Sequence, residues 1–360
     1  MDSPERHPLF QRIEKHRRRS GRVREDVVVQ AHGGGGKAMR DLIEDLVVRE
    51  LGEPEIDEDQ AFASISELGA RGDRVAFTTD SFVVTPLEFP GGDIGRLAVN
   101  GTVNDLAVGG AEPVFLSCGL VLEEGLEIDT LRRILRSMGT AAREAGVRIV
   151  TGDTKVVPRG KADRMFINTS GIGVVPSGVK LSSRSVQPDD VLIVSGRLGD
   201  HGAAILVARG ELDLDTDIPS DTAPLHDLVR TLLDAAPVHA MRDVTRGGLA
   251  AVLNEVALAS EVGMVVDAQT IPVRPEVSGF CELLGLDPVH LANEGRLVAA
   301  VPSDAADVAL AALRGHPMGA DAAVVARCRP EPAGVVTIDT GFGGERILDM
   351  LVGEPLPRIC

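Results

Sequence analysis

Val27-Val28-Val29-Gln30-Ala31-His32-Gly33-Gly34-Gly35-Gly36-Lys37 is the stretch on which the fold turns. Three consecutive valines predict a strand, and Met39, Leu42, Ile43, Leu46 and Val47 then recur at helical spacing. A strand, a glycine-rich turn and an amphipathic helix in that order open an α/β unit. Glycines at a helix start let backbone N–H groups turn onto an anion, and the helix N-terminus adds its partial positive charge. The same run also reads as a flexible linker. It is not a Walker A loop, because no Gly-Lys-Ser/Thr closes it.

Outward from this loop the chain repeats the theme. Val75 to Ser81 reads as a strand ending at Asp80, and Asn100 to Ala107 places Asn104 and Asp105 in a small-residue segment. Val114 to Val121 reads as a strand, Leu131, Ile134, Leu135, Met138 and Ala142 as an amphipathic helix stopped by Gly146, and Val147 to Val150 as a strand running into Thr151-Gly152-Asp153-Thr154-Lys155. Three acidic residues, Asp80, Asp105 and Asp153, thus fall at or beside strand ends. Hard oxygen donors of this kind suit Mg²⁺ shared with phosphates. Each aspartate taken alone is more often a turn or cap residue; it is the set of three, with the glycine loop upstream, that points to a metal.

Met165 to Val175 completes the first half, and the polar stretch from Pro176 to Asp190 reads as a linker. A second αβ segment starts at Val191. It carries helices near 201–209, 224–235 and 247–260, and strands near 263–267, 296–301, 322–327 and 334–339. The glycines of Asp243-Val244-Thr245-Arg246-Gly247-Gly248 enter the third helix, as a cap or as a second phosphate loop. Gly341, Gly343 and Gly344 then release a terminal arm, Pro355-Leu356-Pro357-Arg358-Ile359-Cys360. The expected organisation is a basic extension over 1–26, an N-terminal domain over 27–176, a C-terminal α/β domain over 186–340 and a mobile tail over 341–360.

Composition narrows the chemistry. The chain has 360 residues, 44% of them hydrophobic, with no Tyr or Trp, so the core is aliphatic and aromatic stacking on bases is nearly unavailable. A formal charge of −17 repels a phosphate backbone, which argues against nucleic acid as a partner. Four scattered cysteines give neither a disulfide framework nor a CxxC zinc pair. Cys118 and Cys328 lie in apolar runs and read as core. With no signal-peptide core and no bilayer-length apolar run, the expectation is a soluble cytoplasmic protein. A terminal thiol, by contrast, is a nucleophile on an arm, with Arg358 favouring its thiolate and the terminal carboxylate opposing it.

Taken together, His32 to Gly36, Thr79-Asp80-Ser81, Val103 to Ala107, Gly152 to Val156, Asp243 to Gly248, Asn293-Glu294-Gly295 and Pro357-Arg358-Ile359-Cys360 resemble the HypE family of nickel–iron hydrogenase maturation proteins. That family lies in the aminoimidazole ribonucleotide synthetase superfamily, and the resemblance runs from about residue 27 to the end. It implies a two-domain α/β fold that dimerises through strands of its N-terminal halves, with ATP near that interface. The terminal cysteine, here Cys360, would accept a carbamoyl group from the carbamoyltransferase HypF. ATP would drive its dehydration to S-cyanide, which passes to iron on a HypC–HypD complex. On this reading Gly33, Gly34, Gly35, Gly36, Asn104 and Thr154 hold ATP, and Asp80, Asp105 and Asp153 hold Mg²⁺. Glu294 is the base and Lys155 the electrostatic clamp, while Gly341, Gly343 and Gly344 serve as hinges. The rival readings are another ATP enzyme of the superfamily, a non-catalytic thiol carrier and an assembly scaffold. A selenide enzyme would carry its reactive Cys beside the glycine loop, and none stands there.

Overall fold

The structure, a computed structural model, describes residues 21–52, 60–210, 218–341 and 343–352. Cys360 and Arg358 lie outside the described residues. The mixed α/β, two-domain architecture expected from the sequence is present, built on a four-stranded and a seven-stranded sheet.

The predicted first strand is reduced to a single bridge between Val27 and Glu127, with Val28 laced by backbone bonds to Gly125 and Leu126. The glycines then lead into a continuous helix, α1 (residues 37–51). It comprises Lys37–Leu42, a π-helical stretch Ile43–Val48 and a last turn Arg49–Leu51. After a short helix α2 (Ile65–Gly69) comes the first sheet, built from β1 (Arg74–Phe82), β2 (Glu112–Glu123), β3 (Arg148–Val157) and β4 (Met165–Val175). Its order is β1-β4-β2-β3, with only the β2–β3 pair parallel. Helices α3 (Ile94–Val108) and α4 (Ile128–Glu144) cover one face. Asp45 and Glu50 of α1 are tied to Arg132 and Arg136 of α4.

Two features of this sheet position the chemistry. Strand β3 pairs Leu116 with Ile149 but Ser117 with Thr151, so Val150 is an extra residue, a β-bulge. Because strand side chains alternate, one inserted residue flips everything beyond it. Thr154, beside Leu120, is therefore turned towards the helices and buried, whereas Asp153 and Lys155 are on the open face. The second feature is α3, thirteen of whose fifteen residues are buried, so it has no polar face. Its last turn reaches into the other half, where Ala107 and Val108 join a core with Ile193, Leu225, Leu297 and Val301.

That other half contains β5 (Val191–Val194), α5 (Asp200–Ala208), α6 (His226–Ala235), β6 (Ala240–Asp243), α7 (Gly248–Ser260), β7 (Gly263–Asp267), α8 (Pro275–Leu284), β8 (Leu297–Val301), α9 (Ala306–Gly315), β9 (Ala323–Arg329), β10 (Val336–Asp339) and β11 (Glu345–Ile347). The sheet order is β11-β10-β7-β9-β5-β8-β6. Strand β11 corrects the expected release of the chain at Gly341. Gly341, Gly343 and Gly344 lie in the turn between β10 and β11, which pair antiparallel. Leu348 beyond them is buried and its carbonyl accepts from Asn254 at 2.9 Å. Among the described residues Leu348 is the last buried one. Cys118, Cys281 and Cys328 are all buried, and burial pushes the Cys281 thiol up to about 11. Among the described residues no helix is long and apolar enough to cross a membrane.

A Cβ on Gly152, just past the bulge, would lie 2.1 Å from the Cys118 carbonyl oxygen. Gly152→Ala is expected to destabilise the protein by about 1–3 kcal/mol through forced backbone shift, read as a lower urea midpoint with unchanged slope.

Candidate active site

The predicted site residues fall into two groups at opposite edges of the first sheet. One lies on β3 beside the glycine loop. Gly33 packs so closely on this strand that a Cβ would meet the Val156 nitrogen at 2.8 Å. Gly35 has φ +73° and, like Gly36, open space around it, and Gly36 precedes the first turn of α1 with no side chain capping it. Gly34 to Gly36 are therefore an uncapped, exposed helix entry, with Gly33 packed on β3 behind them. Next to it, Lys155 Nζ lies 2.7 Å from Asp153 Oδ2, both side chains exposed. The hydrogen bond from Lys155 holds the Asp153 carboxyl below its usual range.

The second group lies where the two halves meet. Asp80 is inside β1 and Asp105 inside α3, not in loops, and Thr78 Oγ1 donates to Asp105 Oδ2 at 2.8 Å. Asp243, at the end of β6, faces them. Burial first, then the Asp243 charge, pushes the Asp105 carboxyl up to about 6, with Asp80 adding to the rise. Asp243 is raised by burial too. Glu294 is 3% exposed, and burial together with Asp221, Asp243 and Asp80 holds its carboxyl well above the usual range, opposed by Arg246. A cleft of about 460 Å³ opens beside this group, lined by Thr78, Asp105, Met241, Arg242, Asp243 and Ser182 among others.

The register measures the gap between the groups. Asp80 aligns with Thr169, Cys118 and Gly152 across the sheet, while Asp153 aligns with Gly119, Asn168 and Ser81 in the next row, on the other face. Three inter-strand steps amount to about 14 Å. Within one chain Asp153 therefore does not join Asp80 and Asp105 around one ion, and Lys155 does not meet Glu294. Among the described residues no group of three or more His, Cys, Asp or Glu is arranged to hold a metal ion. Thr154 points inward and is buried. Asn104 is 2% exposed and its amide is committed to the second half: it donates to the carbonyls of Ala223 and Glu294 and accepts from Leu225 N–H. It clamps the halves together, so its amide is not free for a nucleotide.

Sequence reasoning left Asp243 open between cap and site, and missed Asp221, Arg242 and Arg246 as its companions. Only Asp243 had a signal, its position before paired glycines. Both of those have positive φ, and a Cβ on Gly248 would meet the Val289 carbonyl oxygen at 2.4 Å.

Two stacked halves with a carboxylate-rich junction define a class, and families of AIR synthase related proteins match both: the N-terminal domain at residues 57–175 and the C-terminal domain at 187–339. Within it the chain belongs to the HypE family. It is 58% identical over 339 residues to carbamoyl dehydratase HypE of Rhodobacter capsulatus, covering 94% of this chain and 99% of that one. A HypE structure in complex with ATP superposes with a TM-score of 0.86 at 46% identity, covering 92% and 99% of the two chains. HypE from a HypE–HypF complex does so with 0.74 at 47%, covering 77% and 90%.

The Asp105 carboxyl sits near 3.8 when unperturbed and about 6 when folded, so the fold favours its protonated form. Its contribution is fully present below about pH 4 and is lost as pH rises through about 6. In metal-free protein, Asp105→Asn should raise stability at pH 7–8 by about 1–3 kcal/mol, with the gain vanishing near pH 4. Melting midpoints over that range in chelator check it; a gain independent of pH would refute the assignment.

Proposed function

We propose that this chain is an ATP-dependent carbamoyl dehydratase that works on its own C-terminal thiol, Cys360, and supplies the cyanide ligand of nickel–iron hydrogenase. The observation that carries the reading is the buried, proton-avid carboxyl of Glu294 at a carboxylate-lined junction, in a chain of the HypE family. The carbamoyl donor is HypF and the cyanide acceptor a HypC–HypD complex.

The chemistry sets what the site must do. In R–S–C(=O)NH₂ the oxygen is a poor leaving group. Transfer of the ATP γ-phosphoryl group onto that oxygen releases ADP and turns the oxygen into part of a phosphate. Loss of phosphate and of the N–H protons then leaves R–S–C≡N. Phosphoryl transfer is mostly positioning and electrostatics, and the backbone N–H groups of Gly33 to Gly36 would cradle phosphate oxygens. Glu294 takes a proton from nitrogen; a buried carboxylate with raised proton affinity is a strong acceptor once ionised. Mg²⁺ characteristically binds one or two carboxylates plus substrate phosphates, so one or two of Asp80, Asp105 and Asp243 would hold it together with the nucleotide's phosphates. When bound, it would neutralise charge on the transferring phosphate.

A homodimer reunites the separated groups. The face of the first sheet away from α3 and α4 exposes Val75 (62%) and Phe77 (69%) beside a hydrogen-bonded polar row of Thr79, Asn168 and Ser170. Two copies packed there about a two-fold axis bring β3 of each towards β1 of its partner. Asp153, Lys155 and the glycine loop of one chain would then lie at the β1 edge of the other, round which stand Asp80, Asp105 and Glu294.

Two experiments test this. Glu294→Gln, loaded by the carbamoyl donor, should accumulate S-carbamoyl-Cys360 and slow conversion by about 10²–10⁴-fold, while Cys360→Ala carries no adduct; normal conversion by the Gln variant removes Glu294 as base. Phe77→Glu should yield monomers by light scattering and lose ATP-driven turnover. A dimeric, active variant would reject the proposed interface.

A further inference from the structure

Asp221 stands in the turn before α6, and its side chain is wholly buried. One carboxylate oxygen accepts the N–H of Glu294 at 3.0 Å and the other accepts the N–H of Gly295 at 3.3 Å. The Arg296 guanidinium lies 3.5 Å from the second oxygen. That guanidinium is itself fixed by the carbonyls of Arg197, Gly295 and Met318.

The same turn is gripped from the first half of the chain. Asn104 donates to the Glu294 carbonyl at 3.2 Å and to the Ala223 carbonyl at 3.0 Å, and accepts the Leu225 N–H at 2.7 Å. Asn293, just before, accepts from Gly199 N–H and donates to the Val244 and Leu291 carbonyls. There is no room between the segments of this knot: a Cβ on Gly295 would lie 2.0 Å from the Asp221 carbonyl oxygen. Both backbone polar groups of Glu294 are thus held by side chains that are themselves pinned. A carboxylate taking two successive N–H groups is a strong, charge-assisted and directional holder.

We propose that Asp221, with Asn104 opposite, is a positioning residue for the dehydration: it fixes the Asn293-Glu294-Gly295 turn so that the Glu294 carboxyl meets the carbamoyl nitrogen. The inference rests on Glu294 being the base. Neither residue touches substrate; both act by denying the Glu294 backbone any freedom, leaving only its side-chain torsions to adjust. A misplacement of the order of 1 Å at a reacting group costs about 10²-fold in rate.

The test is a double-mutant cycle on full-length protein preloaded with the S-carbamoyl group. Asp221→Asn keeps the shape but sets an NH₂ against a backbone N–H. Single-turnover conversion to S-cyanide should fall about 10- to 100-fold with the KM for ATP within twofold. In a Glu294→Gln background the same change should cost nothing further, because there is no base left to aim. Asn104→Ser should repeat both results, and carries the test if Asp221→Asn fails to fold. Losses that multiply in the double variants, an unchanged rate in the single ones, or an effect confined to the KM for ATP each overturn the positioning role. A slow Glu294→Gln enzyme with multiplying losses sinks the positioning alone. A Glu294→Gln enzyme at full rate sinks the base reading and this inference with it.

Discussion

Burial of carboxyl groups at the junction of the two halves is the constraint on which the rest of the structure depends. Asp80, Asp105, Asp243, Asp221 and Glu294 come from both sheets and the turns beside them, and the cations near them, Arg242, Arg246 and Arg296, are fewer. Charged oxygens packed this way cannot all stay ionised without cost. The protein answers it differently at each position. Asp221 accepts two backbone N–H groups and lies beside Arg296. Asp105, despite the hydrogen bond from Thr78, and Glu294, despite Arg246, are driven towards their protonated forms. A junction with unmet negative charge favours a bound cation over a further anion.

The junction exists because α3 has no face turned to water. A helix that packs on β1 and β4 with one side, and enters the core of the second half with its last turn, cannot be shared loosely. Asn104 and Asp105 are consecutive and point in different directions from that turn, one to lock the halves and the other to line the cleft. This is why the Asn-Asp pair is adjacent in sequence while its two members do different work.

The same property hid α3 from sequence reading. Most strands were legible from their apolar runs, and the helices at 226–235 and 248–260 from their spacing and boundary residues. A helix buried all round shows no period, and its residues read as a small-residue loop. The bulge at Val150 left no mark either. One extra residue in β3 decides whether Asp153 and Lys155 face the helices or the open side, yet nothing in Val147 to Val150 distinguishes the two registers. The residue types mark the motif as chemistry-bearing, but its facing was not readable. Asp221 was invisible for a third reason: its partners are backbone groups more than seventy residues away.

The hairpin β10–β11 bears on how a terminal thiol could reach such a site. Glycines at 341, 343 and 344 have the conformational freedom of a hinge, but β11 pairs in the sheet, Glu345 bridges to Arg329, Arg346 to Asp287, and Leu348 is in the core. Motion of the whole segment from Gly341 would break all of these together. Motion from beyond Leu348 breaks none, and the twelve residues from there to Cys360 extend up to about 40 Å at full stretch. A hinge at Gly341 is therefore at odds with the pairing of β11 and the burial of Leu348.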